Sequence, residues 1–439
     1  MNATAVDKKE FFRSHEIRPT DENIIDSLKR DTFGRYRYLD RFLRFLDLID
    51  YPCAIAIDGQ WGSGKTFFVK QAIRILEQKN RAISSPDEHT VSLPSAYNPD
   101  LQHTYLPVYY DAWKNDNVND PLLSILHTIA TDSHIFKTDA FKKQVPFLKK
   151  AARFVDMFCD TGIAEFYNTK EEDDLFSEIE SMHDFSEEVQ IFMSDCIRER
   201  ADKLVVFIDE LDRCRPSFAV QLLERIKHYF SVENVIFVLS INSAELVNTV
   251  KAVYGQNFDG YRYLDRFVDY KMELPKIDHE AYLSSIGFDR LNSLFSYSVL
   301  LYVFSHYSLS IREIEKCCRF INASCGKYLR SGRQDTFSNY EPFFFGLCLP
   351  IMLGLKMTDY DLYKEFVRGA NPQPLVEAAE SNEKIKRYIQ SIASHSLGMP
   401  NSSVEEIYNS FFNLSEETMI RNQLFETASL LSKFGSYND

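Results

Sequence analysis

The sequence predicts an α/β fold in which helices cover both faces of a mostly parallel β-sheet, followed by an all-helical C-terminal region. Short apolar runs, typical of buried strands, alternate with segments of helical periodicity as far as residue 275. From residue 276 onward, helical periodicity continues without further strand alternation. A chain of 439 residues is also long enough for about two to three domains. A sheet domain and a helical domain therefore fit within it.

The predicted elements of the sheet domain follow a regular order. A helical pattern begins at residue 20 with an acidic first turn and recurs as far as residue 50. Five apolar runs then predict strands, at 53–57, 105–110, 204–208, 235–241 and 270–274. The intervening segments are helical, which favours parallel strands joined by right-handed crossovers. Ligands bind such sheets beyond the carboxyl ends of the strands, so we expect a binding site there.

These patterns divide the chain into three parts. Residues 1–20 are polar and predict a flexible arm, residues 21–275 form the sheet domain, and residues 276–439 form a helical domain. A helical insertion at about 115–200 has a basic part and then an acidic part, each typical of a solvated face. The predicted helices of the last part are broken at glycine or proline, namely at Gly326, Gly346, Pro350, Pro372, Gly398 and Pro400.

The turn after the first predicted strand carries a phosphate-binding pattern. Residues 59–66 (GQWGSGKT) match G-x-x-x-x-G-K-[ST] and lead into an amphipathic helical segment. Glycine lets backbone N–H groups point at phosphate oxygens, and the helix N-terminus adds the positive end of its dipole. Lys65 is expected to reach the β- and γ-phosphates of ATP, and Thr66 to hold Mg²⁺. The predicted nucleotide-binding residues are Gly59, Gln60, Trp61, Gly62, Ser63, Gly64, Lys65, Thr66 and Phe67.

A second motif follows the third predicted strand, within residues 204–215 (LVVFIDELDRCR). Asp209 is expected to hold the magnesium ion, and Glu210 to act as the general base that takes a proton from the attacking water. Asn242, at the end of the next strand, is expected to hydrogen-bond the γ-phosphate or that water. Arg213 follows the acidic residues and is a candidate for supplying positive charge to the transition state.

Other arginines compete for that last role. Arg215 lies two residues further along the same motif. The heptapeptide Tyr-Arg-Tyr-Leu-Asp-Arg-Phe occurs twice, at 36–42 and 261–267, and Arg266 of the second copy is an alternative. Because the flanking residues diverge, we interpret the copies as two similar amphipathic helices that support the sheet, not as a duplicated domain.

The composition limits the class of partner and the compartment. Lys and Arg number 50 against 64 Asp and Glu, a formal charge of −14, which disfavours broad binding to nucleic acid or an anionic membrane. The longest apolar run, 343–355, contains a proline and is shorter than the about twenty residues of a spanning helix. The N-terminal residues lack the apolar stretch of a signal peptide. We therefore expect a cytoplasmic protein without a membrane span.

Cysteine and tryptophan have structural interpretations. The eight cysteines are scattered without a C-x-x-C pair, which is typical of reduced and mostly buried thiols. Trp113, at the end of the second predicted strand, is expected to anchor packing, with ligand contact as the alternative.

Several stretches resemble the KAP P-loop NTPases, a branch of the additional-strand catalytic-glutamate class. They are residues 31–38 (DTFGRYRY), 59–66, 109–113 (YYDAW), 208–214 (IDELDRC) and 263–275 (YLDRFVDYKMELP). Residues 310–317 (SIREIEKC) resemble the early C-terminal helix of the family and make Arg312 a candidate sensor arginine. In the usual terms, the loop at 59–66 and the motif at Asp209 are then the Walker A and Walker B motifs.

The resemblance implies a P-loop NTPase core that hydrolyses ATP, with a central parallel sheet, helical insertions and a helical C-terminal region. Many relatives carry membrane helices between the two nucleotide motifs, and this chain has none there. Relatives commonly have aspartate at the position of Asn242. Some bacterial relatives act in anti-phage defence, which suggests the same setting here.

The motifs and the resemblance lead to one leading hypothesis and two alternatives. The leading hypothesis is a magnesium-dependent ATPase whose hydrolysis changes conformation or oligomeric state and thereby controls a partner protein, such as an effector. The first alternative is a slow ATP-sensing switch whose C-terminal helices form the interaction surface. The second is a nucleic-acid motor or clamp that uses the basic part of the insertion. The sequence leaves open the partner, the oligomeric state, the trigger of hydrolysis and the arginine that completes the site.

Overall fold

The computed structural model of the chain describes residues 18–80, 99–132, 187–285, 297–331 and 343–413, apart from 119, 199, 230, 231 and 396. Most of the predicted insertion, with its basic and acidic parts, lies outside these residues. So do nearly all of the predicted N-terminal arm and the part of the predicted helical domain beyond residue 413. The described residues form two compact units: Pro19–Asp31 with Arg35–Lys276, and Thr32–Gly34 with the residues from Ile277 on.

Strands and helices alternate through the first unit. Its elements are α1 (Asp21–Arg30), α2 (Tyr36–Asp47), β1 (Cys53–Asp58), α3 (Lys65–Lys79), β2 (Tyr105–Asp111), α4 (Pro121–Thr131), α5 (187–197), β3 (Lys203–Asp209), α6 (Pro216–Tyr229), β4 (Val235–Ile241), α7 (Ser243–Tyr254), α8 (Gly260–Leu264) and β5 (Tyr270–Glu273). A 3₁₀ turn at Trp113–Asn115 follows β2, and another at Leu211–Arg213 follows β3. All five predicted strands are present.

The five strands form one sheet with the order β2-β3-β4-β1-β5. Each neighbouring pair is parallel, so the predicted parallel sheet is confirmed. Strand β4 lies between β1 and β3, which carry the two motifs. Because neighbouring strands are about 4.8 Å apart, the carboxyl ends of β1 and β3 are separated by about 10 Å.

Helices cover both faces of the sheet, which explains why β3 and β4 are buried along their whole length. On one face, Val206 and Ile208 belong to an apolar cluster with residues of α4, α5 and α6. On the other face, the ring of Phe207 lies 6.5 Å from that of Phe42 in α2. The Phe42 ring is in turn 5.5 Å from that of Phe68 in α3. The core is therefore a three-layer sandwich.

The single helical pattern predicted for residues 20–50 is divided into two helices in the structure. Asp31 ends α1 in the left-handed region, with φ 47°, and Gly34 has φ 65°. The Asp31 carboxylate accepts hydrogen bonds from the backbone N–H groups of Arg35 and Tyr36, at 2.7 and 3.2 Å. A short polar side chain that bonds its own backbone favours a turn over a continuous helix.

The second unit is helical, as predicted. Its elements are α9 (His279–Ser285), α10 (Tyr297–His306), α11 (Ile311–Ser331), a π-helical turn (Phe344–Cys348), α12 (Leu349–Thr358), α13 (Tyr360–Val367), α14 (Gln373–Ser381), α15 (Glu383–His395) and α16 (Val404–Asn413). The helix breaks predicted at residues 372, 398 and 400 fall between helices.

Three predicted helix breaks in the second unit are wrong. Helix α11 continues through Gly326, and both Gly346 and Pro350 lie within one helical run that extends from residue 343 to residue 358. The N–H of Leu349 bonds the carbonyl of Phe344, the wider spacing of a π turn. Pro350 follows directly on this widened turn, where the regular hydrogen-bond ladder is already interrupted, and the helix continues past it.

The described residues also bear on the predicted state of the cysteines and on the predicted lack of a membrane span. Six cysteines in the described ranges are buried and free: Cys53, Cys196, Cys214, Cys317, Cys318 and Cys348. In the same ranges, no helix has both the length and the apolar character required to cross a membrane.

Candidate nucleotide site

The loop after β1 has the backbone of a phosphate cradle. Gly62 and Gly64 adopt φ values of 76° and 87°, in a region where L-residues are strained. A Cβ at Gly59 would lie 2.8 Å from the hydroxyl of Ser63, so a larger residue would require that side chain to move. The Gly59 N–H donates to the carbonyl of Ile241 at 3.0 Å. The loop is thereby fixed to β4 while α3 begins at its far end.

Lys65, the first residue of α3, folds its side chain back onto the start of this loop. Its Nζ donates to the carbonyls of Gly59 at 2.6 Å and Gln60 at 3.3 Å. The side chain is buried, which lowers its pKa, while the charges of Asp212, Asp209 and Glu210 act in the opposite direction. A buried ammonium held by two loop carbonyls is well suited to exchange them for phosphate oxygens.

Asp209, at the end of β3, is 1% exposed and is fixed from both neighbouring strands. Its Oδ1 accepts from the Ser240 hydroxyl at 2.6 Å and from the Glu210 N–H at 3.0 Å. Its Oδ2 accepts from the Tyr109 hydroxyl at 3.1 Å. Sequence analysis identified neither Ser240 nor Tyr109. The available signal was their position at the carboxyl ends of strands that flank β3.

Glu210 has two unusual properties. Its φ is 62°, a strained conformation for a residue with a side chain, and such strain is concentrated at functional sites. Its pKa is raised from 4.5 to about 7, first by burial and then by the charge of Asp209, against the opposing effect of Arg213. The Arg213 Nε forms an ion pair with Glu210 Oε2. The expected base is therefore held by a guanidinium from the following turn.

The surroundings of Arg213 correct one expectation. Its guanidinium lies 5.7 Å from the ring centroid of Trp113. Trp113 is 54% exposed, so the prediction that it anchors packing is wrong. Its 3₁₀ turn lies at the surface beyond β2, beside a cavity of about 590 Å³ lined by Asp111, Trp113, Lys114, Asp116 and Asn117.

Arg215 has a different partner from Arg213. Its backbone N–H donates to Asp116 Oδ2 at 3.2 Å, and its guanidinium contacts the Asp116 carbonyl and carboxylate. Arg266 is exposed, beyond the end of α8. The second copy of the heptapeptide thus begins in a five-residue helix, whereas the first copy opens the twelve-residue α2. Arg312 is an exposed residue near the start of α11, in the second unit.

Asn242 is half-buried where β4 passes into α7. Within the described part of the chain, its side chain makes no capping hydrogen bond to that helix. The cap comes from Asp58, whose Oδ1 accepts from the Ser243 N–H at 2.8 Å while Oδ2 pairs with Lys271 at 2.8 Å. The Asn242 amide therefore lies at the carboxyl end of the strand between the two motifs without a helix-capping role.

The loop and the acidic motif are also joined directly. The Trp61 indole N–H donates to Asp212 Oδ2 at 2.5 Å. Two buried oxygens here, Ser63 Oγ and Asp212 Oδ1, have no hydrogen-bond partner among the described residues. Sequence analysis did not assign Asp212 a role. The signal for it was only that it follows Asp209 by three residues.

These groups fit a nucleotide with its magnesium ion. Carboxylate and hydroxyl oxygens, as offered by Asp209 and Thr66, are the ligands that Mg²⁺ prefers, together with phosphate and water oxygens. Among the described residues, no group of three or more His, Cys, Asp or Glu is arranged to hold a metal ion by protein ligands alone.

The sequence model of the KAP family P-loop domain matches residues 38–286, which is more than half of the chain. No curated protein matches the chain.

Solved structures with some likeness include proteins of replication origins. The Aeropyrum pernix ORC2 protein in its ADPNP-ADP complexes is 13% identical with a TM-score of 0.35, over 92% of this chain and 89% of that one. The ORC1 protein of the same organism in complex with DNA is 15% identical with a TM-score of 0.37, over 94% and 86%. Drosophila ORC bound to DNA is 12% identical with a TM-score of 0.37, over 95% and 86%. Scores this low carry no functional inference.

Proposed function

Because the chain belongs to the KAP family of P-loop domains, we propose that it is a magnesium-dependent ATPase whose nucleotide state controls a partner protein. The control would act through a change of conformation or oligomeric state. One observation supports the ATPase most directly. The loop at 59–66 and the pair Asp209 and Glu210 share one edge of the sheet, with only β4 between their strands.

Binding of the triphosphate would depend on the loop backbone and on Lys65. Residues in the left-handed region, such as Gly62 and Gly64, are typical of turns whose N–H groups bind anions. The Lys65 ammonium would leave the loop carbonyls for the β- and γ-phosphates. Because this ammonium is buried, its attraction to phosphate is stronger than in water.

Thr66 and Asp209 are the residues that would hold Mg²⁺. When bound, the ion neutralises charge on the phosphate oxygens and helps to orient them for in-line attack. The Asp209 carboxylate is already fixed by Ser240 and Tyr109. A preformed carboxylate needs no reorganisation during the reaction, which favours catalysis.

Glu210 would accept the proton of the attacking water, and Asn242 would hydrogen-bond that water or the γ-phosphate. A pKa of about 7 is close to the operating pH, where a general base is most effective. In the present structure, the carboxylate is paired with Arg213. Release of this pair would free the base and let the guanidinium add positive charge near the phosphate.

The same ion pair favours a second candidate function, a slow ATP-sensing switch. A base held by Arg213 would turn ATP over slowly until a trigger separates the two side chains. Steady-state kinetics distinguishes the candidates. An ATPase would show turnover well above that of its Glu210→Gln variant without any added partner, whereas a switch would reach that rate only with its trigger.

The function is tested with two variants that separate binding from chemistry. Lys65→Ala is expected to lose ATP binding in calorimetry and, with it, turnover. Glu210→Gln is expected to keep binding and lose turnover by about 10²–10⁴-fold, the usual contribution of a general base. Native mass measurement of Glu210→Gln with ATP and Mg²⁺ then tests the change of oligomeric state. An unchanged mass would contradict control through assembly, and absence of ATP binding in the wild type would contradict the proposal as a whole.

The biological setting rests on the family alone. We propose anti-phage defence and a cytoplasmic location. Cells carrying the wild-type gene in its native operon should resist phage better than cells carrying Lys65→Ala. Equal plaque counts across a broad phage panel would contradict the proposal.

A further inference from the structure

Asp212 occupies a turn that connects both nucleotide motifs. It lies in the single 3₁₀ turn Leu211–Arg213, directly after Asp209 and Glu210, and is only 6% exposed. A carboxylate this deeply buried is expected to have hydrogen-bond donors or a cation for both of its oxygens. One of its two oxygens accepts a hydrogen bond, and the other has no partner among the described residues.

The first oxygen, Oδ2, is occupied. It accepts the indole N–H of Trp61 at 2.5 Å, across 151 residues of sequence. Trp61 is the third residue of the phosphate loop, and its ring is 46% exposed. This bond ties the middle of the loop to the segment that follows β3.

The second oxygen, Oδ1, is buried and lacks a hydrogen-bond partner within the described chain. The nearby cations are engaged elsewhere: Lys65 bonds the carbonyls of Gly59 and Gln60, and Arg213 pairs with Glu210. Asp209, in contrast, already accepts three hydrogen bonds. Among the described residues, Asp212 Oδ1 is therefore a buried carboxylate oxygen of the motif whose acceptor capacity is unused.

The negative charge of Asp212 also affects Lys65. Among charged neighbours, Asp212 has the largest effect in raising the pKa of Lys65, ahead of Asp209. The charge of Asp212 therefore acts on the ammonium that would bind the β- and γ-phosphates. A magnesium ion held there by Thr66 and Asp209 would keep several of its waters, and these waters would be strong donors.

We infer that Asp212 is a further residue of the nucleotide site: Oδ2 positions the phosphate loop through Trp61, and Oδ1 accepts a hydrogen bond from a water on the magnesium ion. The inference rests on the proposed function, because it requires a magnesium–nucleotide complex at this edge of the sheet. Asp212 is thus a positioning residue for the metal and not one of its direct ligands.

Two variants distinguish the roles of the two Asp212 carboxylate oxygens. Asp212→Asn keeps an amide oxygen that can accept from Trp61 but removes the charge and presents an NH₂ group where an acceptor is needed. Trp61→Phe removes the indole N–H and leaves the carboxylate intact. The probe is Mn²⁺ in place of Mg²⁺, measured by electron paramagnetic resonance on the full chain with saturating ADPNP. Calorimetry in EDTA measures ADPNP binding without metal.

Asp212→Asn is expected to affect metal binding and not nucleotide binding. Asp212→Asn should weaken Mn²⁺ binding about tenfold or more, the usual effect of losing a group that orients a metal's surroundings. Its ADPNP affinity in EDTA should not fall, whereas Trp61→Phe should weaken ADPNP binding in EDTA and reduce the Mn²⁺ affinity less than Asp212→Asn does. Unchanged Mn²⁺ affinity in Asp212→Asn would overturn the inference. Equal losses in both variants would overturn it too, because Asp212 would then act through the loop alone.

Two controls keep these outcomes distinct. Failure of the wild type to bind ADPNP would contradict the proposed function and not the assignment of Asp212 within it. Thermal melting checks that each variant is folded. If Asp212→Asn does not fold, Asp212→Ser replaces it; because serine also loses the Trp61 bond, its Mn²⁺ affinity should then fall further than that of Trp61→Phe.

Discussion

The guanidinium of Arg213 forms an ion pair with the carboxylate of Glu210, three residues before it and directly beyond the end of β3. Burial and the neighbouring Asp209 raise the pKa of this carboxylate to about 7, and Arg213 opposes that rise. Arg213 therefore forms an ion pair with the candidate base. It also keeps the pKa of that carboxylate lower than burial and Asp209 alone would. In the proposed ATPase, this relationship would make turnover sensitive to pH and to Arg213.

The first prediction is a pH dependence of turnover. The base must be ionised to accept a proton, and the raised pKa keeps Glu210 largely protonated below about 7. Turnover should therefore be constant at high pH and fall as the pH decreases through about 7, approaching about tenfold per pH unit. Measurement of kcat/KM, which reports the ligand-free enzyme, from pH 4 to 9 tests this. A midpoint near 4.5, the ordinary value of a glutamate, would contradict it.

The second prediction concerns removal of Arg213. Because Arg213 lowers the pKa of Glu210, Arg213→Gln should move the midpoint of the same profile to higher pH. If the guanidinium also stabilises the transition state, the high-pH plateau should fall by about 10²–10³-fold, and we expect both effects. Arg215→Gln is the matched control, since Arg215 pairs with Asp116. It should leave the midpoint in place, and an equal shift in both variants would contradict the assignment.

The third prediction uses the two tryptophans of the chain. In Trp113→Phe, the fluorescence comes from Trp61 alone, which is 46% exposed and bonded to Asp212. ATP bound over the loop should shield this indole from water and shift its emission to shorter wavelength. The reciprocal variant Trp61→Phe should respond less. If calorimetry detects ATP binding while Trp61 emission stays constant, the loop does not carry the nucleotide in the way proposed.

The fourth prediction compares two positions of the repeated heptapeptide. Phe42 ends the first copy and is fully buried between α3 and the sheet, whereas Phe267 ends the second copy and is only partly buried. Phe42→Ala should lower the free energy of unfolding of the sheet unit by about 3–5 kcal/mol, the usual cost of deleting a core ring. Phe267→Ala should cost clearly less. Calorimetric melting of both variants tests this, and equal costs would show that the copies play equivalent structural roles.

The fifth prediction concerns nucleic acid. A formal charge of −14 disfavours binding that depends on phosphate neutralisation. We expect no retardation of DNA or RNA at low salt and ATP turnover within about twofold of the value without nucleic acid. Retardation with a steep salt dependence would instead support the nucleic-acid alternative. In that case, neutralising the basic residues of the insertion would be the next experiment.

The sequence was sufficient for features that depend on local rules. A run such as Val235–Ile241 is apolar at every position but one, which is the requirement for a strand buried on both faces. Glycines at 62 and 64 indicate a backbone with positive φ, and the structure has it. The local rules failed at predicted helix breaks of the second unit. Helix α11 passes through Gly326, and the π turn lets the helix continue past Pro350.

The sequence by itself therefore determined the strands, the phosphate loop, the acidic motif and the family they belong to. Only the tertiary structure decided which side chains surround them. Tyr109 reaches Asp209 across 100 residues, Ser240 reaches it across 31, and Trp61 reaches Asp212 across 151. The physical reason is the strand order. A strand's apolar pattern is encoded within a few residues, but its neighbours are set by how the whole sheet buries its surface, and those neighbours supply the hydrogen-bond partners at the strand ends.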